Sequence, residues 1–423
     1  MKSHPGQAPA PPGREASRGS PGRRRLLFTA LYFSEGAPIG FVWWTLPVWL
    51  RTSGVPADEV ARLVALVGLP WAFKFAWAPL IDVLRTPRFD LRAWILAAQA
   101  AMALALVPLV LASPRESFDL LLVALLLHAF AAATQDAAID SLAVATVPEH
   151  DRGAINGWMQ VGMLGGRALF GGWALIAAAH VGDRAVILLL VAAIVAPAVM
   201  LLFLQESVAA PIGALGDRTR RAGTRLLRML RMPRTWLGFA FAATAGAGFE
   251  SVATLAGPFL IDRGASEETI GFFFAVPTVS CMAIGALAGG RLSDRIGRRR
   301  SVIGFEVLAS LLVVVLGVTD VVLGPGGSLA PFLLLLALLY FATGLTTAAL
   351  YALFMDLTDR TLAATQFALF MAGINVCYIV STRLVGELLG SLGYGRAFCV
   401  MAAVSLAALP LLRWLTPDQE PAS

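Results

Sequence analysis

The sequence predicts an all-α polytopic membrane protein, with twelve transmembrane helices in two pseudo-symmetric six-helix bundles. Three observations carry that expectation. Of the 423 residues 58% are hydrophobic and only 14% charged, with a mean hydropathy of +0.75, whereas a soluble chain carries about a quarter charged residues. Apolar windows long enough to cross a bilayer, about 20 residues each, recur along the chain. Landmarks in the first half also return in the second at a nearly constant offset.

In order along the chain, residues 1–25 are rich in Pro, Gly, Ser and Arg and predict a disordered tail, unable to bury enough apolar surface to fold. The apolar run that follows is too long for a signal-peptide core and lacks a small-residue cleavage site, so it is read as the first span. The first six spans are 26–50, 60–83, 91–112, 118–146, 153–179 and 185–204, an N-terminal bundle over 26–204. Segment 205–234 carries seven arginines and reads as a basic cytoplasmic linker. The C-terminal bundle, 235–415, has spans at 235–260, 268–289, 301–323, 331–355, 362–389 and 395–415, with a short cytoplasmic tail at 416–423.

An even number of spans puts both termini on one side. Of the 33 Lys and Arg residues, 24 fall on that side, 6 on the other, and Lys74, Arg167 and Arg383 lie within spans. The positive-inside rule makes the terminal side cytoplasmic, so the expected location is the inner (plasma) membrane. The net charge of +6 therefore reflects topology and is no sign of nucleic-acid binding. Cys281, Cys377 and Cys399 all sit in apolar segments and read as core thiols, without metal-ligand spacing.

The internal repeat rests on Gly54 and Gly264, 210 apart, on Asp82 and Asp294, 212 apart, and on Asp151-Arg152 and Asp359-Arg360, 208 apart. Two six-helix units related in this way form a scaffold whose halves rock about a site at mid-membrane.

Between the eighth and ninth spans lies Gly290-Arg291-Leu292-Ser293-Asp294-Arg295-Ile296-Gly297-Arg298-Arg299-Arg300. Five arginines in ten residues pin this stretch to the cytoplasmic face. Gly290 and Gly297 suit a tight reversal, and Asp294 supplies an acid for a neighbouring helix N-terminus. The spacing G-x-L-x-D-R-x-G-R-R-R resembles the loop signature of the major facilitator superfamily of transporters.

Further motifs are similar to those of its AmpG-like permease branch: Phe73-Lys74-Phe75-x-Trp77-x-Pro79-Leu80-x-Asp82, Gln135-Asp136-x3-Asp140, Pro148-Glu149-x2-Arg152-Gly153-Ala154 and Ala364-Thr365-Gln366-Phe367-Ala368-Leu369. That resemblance implies the major facilitator fold and a solute permease, since members of the branch carry anhydro-muropeptides, ferric siderophores or acetyl-CoA. Muropeptide members usually bear two further C-terminal spans beyond the twelve read here, which leaves siderophore-type and other solutes open.

Ionisable side chains inside spans are functional candidates, because each is costly unless it faces protein or water. Glu35 lies about 13 Å into the first span and is followed by Gly36, Pro38 and Gly40, which predict a bend that frees backbone groups. It is a candidate for proton coupling or substrate contact. Glu250 is its rough counterpart in the seventh span.

Lys74, one of two lysines, suits an anionic substrate or a pair with Glu35, against simple snorkelling to the interface. Gln135, Asp136 and Asp140 form a polar arc for a gate, helix pairing or ligand contact. His128 reads first as an interior hydrogen-bonded histidine and second as a proton relay. Arg167 wants a carboxylate, phosphate or hydroxamate, with Asp136 the obvious internal partner. Arg383 is expected to pair with Glu387. Asn375, Tyr378 and Thr382 either line a cavity or join helices. Trp43, Trp44 and Trp49 read as an interfacial belt, or, facing inward, as a stacking surface.

The expected mechanism is alternating access with proton-coupled import of a medium-sized polar or anionic organic solute. In the inward-closed state, Asp294 would lie at the start of the fifth helix near Arg152 and Gly153, and Asp82 at that of the eleventh near Arg360, with Gly290, Arg295, Gly297 and Arg298 in the gating loop. The runner-up is an efflux permease of the same fold. No G-x4-G-K-[ST] appears, and a membrane-embedded enzyme finds no H-E-x-x-H or paired-cysteine spacing. The partners expected are thus a small solute, protons and the lipid bilayer, with no cofactor, no metal and no nucleic acid, acting as a monomer.

Overall fold

The computed structural model describes residues 21–84, 86, 89–111, 118–147, 152–203, 220, 223–224, 227–324, 326–358 and 363–415. Most of these residues are helical, with no strand among them. Helix α1 spans Gly22–Thr52, α2 Ala57–Phe73, α3 Leu91–Leu111, α4 Phe118–Thr146, α5 Arg152–Ala168 and on to Val181, and α6 Asp183–Leu202. Helix α7 spans Pro233–Asp262, α8 Glu267–Ile296, α9 Arg298–Leu323 and α10 Ala330–Leu357. A continuous run Ala363–Ala408 holds α11 and α12, divided at Gly393 (φ 71°), whose left-handed conformation glycine alone adopts readily. Ten helices, counted with α11 and α12 as one, meet the length and apolarity needed to cross a membrane. Helix α2, at 17 residues, is extended by turns to Leu84.

The predicted repeat reappears as matching turn geometry. Gly54 (φ 88°) and Gly264 (φ 82°) close equivalent corners, with Val55 N–H on Leu50 O and Ala265 N–H on Leu260 O, both at 3.0 Å. The halves contact each other through α2 and α11, α1 and α7, and α5 and α8. At the corner end, Arg51 pairs with Asp262 at 2.7 Å, and Tyr394 donates to the same carboxylate at 2.8 Å.

Bare backbone lets α1 and α5 touch. A methyl on Gly36 would meet Met163 O at 2.2 Å, and one on Gly162 would meet Thr29 O at 2.1 Å. Gly36 with Gly40 and Gly162 with Gly166 are thus small residues four apart on facing helices. Gly285 and Gly289 of α8 do the same against α10. Three π turns, Phe41–Thr45, Leu169–Trp173 and Phe274–Thr278, meet at the junction of α1, α5 and α8.

Several expectations change. The run Glu35–Gly40 does not break: α1 continues through Pro38 and widens only at the following π turn, because its glycines serve the contact with α5. The predicted loop Gly290–Arg300 is mostly helix; α8 runs to Ile296, α9 starts at Arg298, and Gly297 (φ 94°) alone makes the reversal. Asp294 is 72% exposed at its side chain and lies 3.9 Å from Arg298, which bonds Asp356 at 3.1 Å within the second half. Arg295 is exposed as well. The backbone of Asp82 lies in the helical turn Ala78–Leu84; its side chain and those of Arg152, Gly153 and Arg360 lie outside the described residues, as do residues 1–20, 416–423 and most of the linker. The seventh span begins at Pro233, inside the segment assigned to the linker.

Candidate functional site

Where α2 ends its regular helix at Phe73, Lys74 opens a single 3₁₀ turn. Its ammonium forms an ion pair with Asp136 of α4. One turn on, Asp140 accepts a hydrogen bond from the Tyr32 hydroxyl of α1 at 2.6 Å. Gln135 donates to Ser34 Oγ at 3.1 Å, so α1, α2 and α4 are joined by one buried polar cluster. Glu35 is buried within electrostatic reach of Asp136, Asp140, Lys74 and Arg167, and its Oε2 has no hydrogen-bond partner. Lys74 therefore pairs with Asp136 and not with Glu35; the two cations inside this half do not share that acid either, and Arg167 is left for the cavity.

That cavity, about 1350 Å3 with its open mouth, lies between the halves. The first half contributes Trp43, Trp44 and Arg167; the second contributes Glu250, Glu306, Tyr340, Tyr351, Asn375 and Tyr378, among others. The Arg167 guanidinium sits 5.3 Å over the Trp43 ring, and the Trp43 ring is 5.2 Å from that of Tyr378. Trp44 stacks on Phe274 at 5.3 Å across the half boundary. Trp49 is fully buried with its ring 5.4 Å from Phe41. The tryptophans thus face inward and are no interfacial belt, because the apolar π-turn junction draws them in.

Asn375 lines the cavity and donates to Trp71 O of α2 at 3.2 Å, serving both readings of its helix. Thr382 instead bonds Thr254 at 2.8 Å, joining α11 to α7. His128 Nδ1 bonds Met102 O at 3.1 Å, as an interior histidine does. Arg383 pairs with Glu387 at 2.6 Å. The sequence reading passed over Glu306, Tyr340 and Tyr351. Glu306 is an ionisable residue inside the predicted span 301–323, and that signal was available.

Comparison with known proteins accords with this architecture. The family model described as Major Facilitator Superfamily matches residues 242–423, and that described as Acetyl-coenzyme A transporter 1 matches residues 25–120. The anhydromuropeptide permease of Escherichia coli (strain K12) is 26% identical over 414 residues, covering 92% of this chain and 79% of that protein. The chain is thus similar to the major facilitator superfamily over its second half and to the anhydromuropeptide permease over most of its length. It also resembles a putative transporter AmpG 4 of Rickettsia conorii (strain ATCC VR-613 / Malish 7), at 22% identity over 396 residues, covering 90% of this chain and 94% of that protein. Its fold matches the crystal structure of a D-xylose-proton symporter with a TM-score of 0.74 at 13% identity, over 94% of this chain and 98% of that one. The fold and these similarities are those of a multi-pass membrane transporter.

Proposed function

We propose that this permease imports a medium-sized polar or anionic organic solute, such as a muropeptide or a siderophore, by proton-coupled alternating access. One observation carries the reading: Arg167 is half-buried, stacked on Trp43, facing a cavity that both halves line, with no acid within ion-pair distance among the described residues. A guanidinium in that position calls for an anionic group on the solute. The similarity to an anhydromuropeptide permease favours a solute of that size.

Glu35 is the proton carrier in this reading. It lies within electrostatic reach of two further acids as well as Lys74 and Arg167, makes no ion pair within 4 Å among the described residues, and its Oε2 has no hydrogen-bond partner. The bundles 26–204 and 235–415 rock about the cavity, joined by the linker 205–234, in a monomer with both termini on the cytoplasmic side of the inner membrane. The Arg51–Asp262 contact supports a state closed on the outside, and the exposure of Asp294 supports one open to the cytoplasm. In the opposite state Asp82 and Asp294, with Arg295 and Arg298, close the inner end.

Proteoliposomes under an inward proton gradient test this reading, offered an anhydro-muropeptide, a siderophore panel and acetyl-CoA. The expected outcome is gradient-driven accumulation of one solute by the wild type and its loss in Glu35→Gln. Faster loss of preloaded hydrophobic compounds, with no accumulation, would instead identify an efflux permease.

A further inference from the structure

Three ionisable groups line the cavity with no opposite charge within 4 Å among the described residues: half-buried Arg167 on the first half, and half-buried Glu250 and buried Glu306 on the second. The two carboxyl groups interact electrostatically with each other, and Glu250 also with Arg167. Two like-charged groups lining one cavity are best accommodated by a cation or by protons. Tyr340, 2% exposed, lines the same cavity, and its buried hydroxyl has no hydrogen-bond partner. Its ring packs edge-on against Phe249 at 5.7 Å, so the hydroxyl is held in place by apolar walls. An ammonium group presents three donors, and two carboxylates with one phenolic oxygen present three acceptors. Tyr340 and Phe249 add ring faces that favour a cation.

We propose that Glu250, Glu306 and Tyr340 form an ammonium subsite across the cavity from Arg167, so that the solute carried is zwitterionic. The proposal rests on the reading of this cavity as the substrate site. It divides the solute between the halves: the anionic end is held by α5 of the first, and the cationic end by α7, α9 and α10 of the second. A solute held at both ends draws the halves together, whereas one lacking the amine leaves the two carboxyl groups of the cavity without a cation. Glu250 then acts on solute choice, and proton coupling stays with Glu35.

The test offers each amine-bearing probe in two forms, free and N-acetylated: an anhydro-muropeptide ending in a diamino acid, a hydroxamate siderophore with a terminal amine, and trialanine. Acetyl-CoA is the anionic solute with no ammonium group. Uptake is measured for the wild type, Glu306→Gln, Glu306→Asp and Tyr340→Phe, each checked for folding by its melting temperature. The expected result is a preference of at least about tenfold for the free-amine form of one probe. That ratio collapses toward one in Glu306→Gln, persists in Glu306→Asp, and falls part-way in Tyr340→Phe. Equal uptake of both forms by the wild type, an unchanged ratio in Glu306→Gln, or accumulation of acetyl-CoA alone overturns the ammonium subsite and leaves the import reading standing. If no solute of any kind accumulates, the import reading falls and the subsite with it.

Discussion

Lys74 shows how far a residue's chemistry can be read without its neighbours. An amine within an apolar span has to meet an anion or water, and that much follows from its position. Which anion does not, because Glu35, Asp136 and Asp140 are all at helical positions in reach of the same interior. The fold settles it by ending α2 at Phe73, which turns Lys74 toward Asp136. Removing the amine alone leaves Asp136, which is 8% exposed at its side chain, without its cation. Lys74→Ala should therefore abolish transport and lower stability, while Lys74→Ala with Asp136→Ala should be less destabilised than the sum of the singles. A double-mutant cycle in detergent should give a coupling of about 0.5–3 kcal/mol. Additive effects would show that the pair does not hold α2 to α4. Glu306 marks the opposite case: its type and its place inside a span were visible, but not that it is buried and lines the cavity between the halves.

At the scale of the helix, the boundaries of most spans were legible because apolar length sets them. Glycine roles were not, since one residue type serves reversal, close packing or neither. Gly162 and Gly290 are both helical, yet only the first is crowded. A methyl at Gly162 would lie 2.1 Å from Thr29 O, while one at Gly290 meets nothing within 4 Å. Gly162→Ala must push α1 from α5 and should destabilise by about 1–3 kcal/mol, as overpacking does. Gly290→Ala should be neutral or stabilising by about 0.5–1 kcal/mol, as expected for a helix interior. Thermal melts of the two variants separate these outcomes. A large loss in Gly290→Ala would restore the reversal first expected there, and no loss in Gly162→Ala would mean that the contact relaxes freely.

For the molecule as a whole, the repeat of Gly54 and Gly264 foretold equivalent corners, but not that the two corners are tied together. The tie comes from Arg51, which ends α1, and Asp262, which ends α7; nothing in the offset of 210 residues indicates that these side chains meet. Their side chains are 26% and 24% exposed, so water screens the pair and its contribution is about 0.2–1 kcal/mol. A transporter has to break this contact on every cycle, and a weak bond suits that need. Arg51→Ala should therefore shift the balance toward opening at the corner end by up to about fivefold. The shift is measurable as faster labelling of a cysteine placed at Thr254 by a membrane-impermeant thiol reagent. Asp262→Asn should do more, because it also weakens the acceptor of the Tyr394 hydrogen bond. Exchanging the charges, with Arg51→Asp and Asp262→Arg together, should return labelling toward the wild-type rate. If neither single variant changes labelling, the corner is held by the apolar contacts of Val48 with Gly257 and of Trp44 with Phe274, and the ion pair only decorates an already closed end.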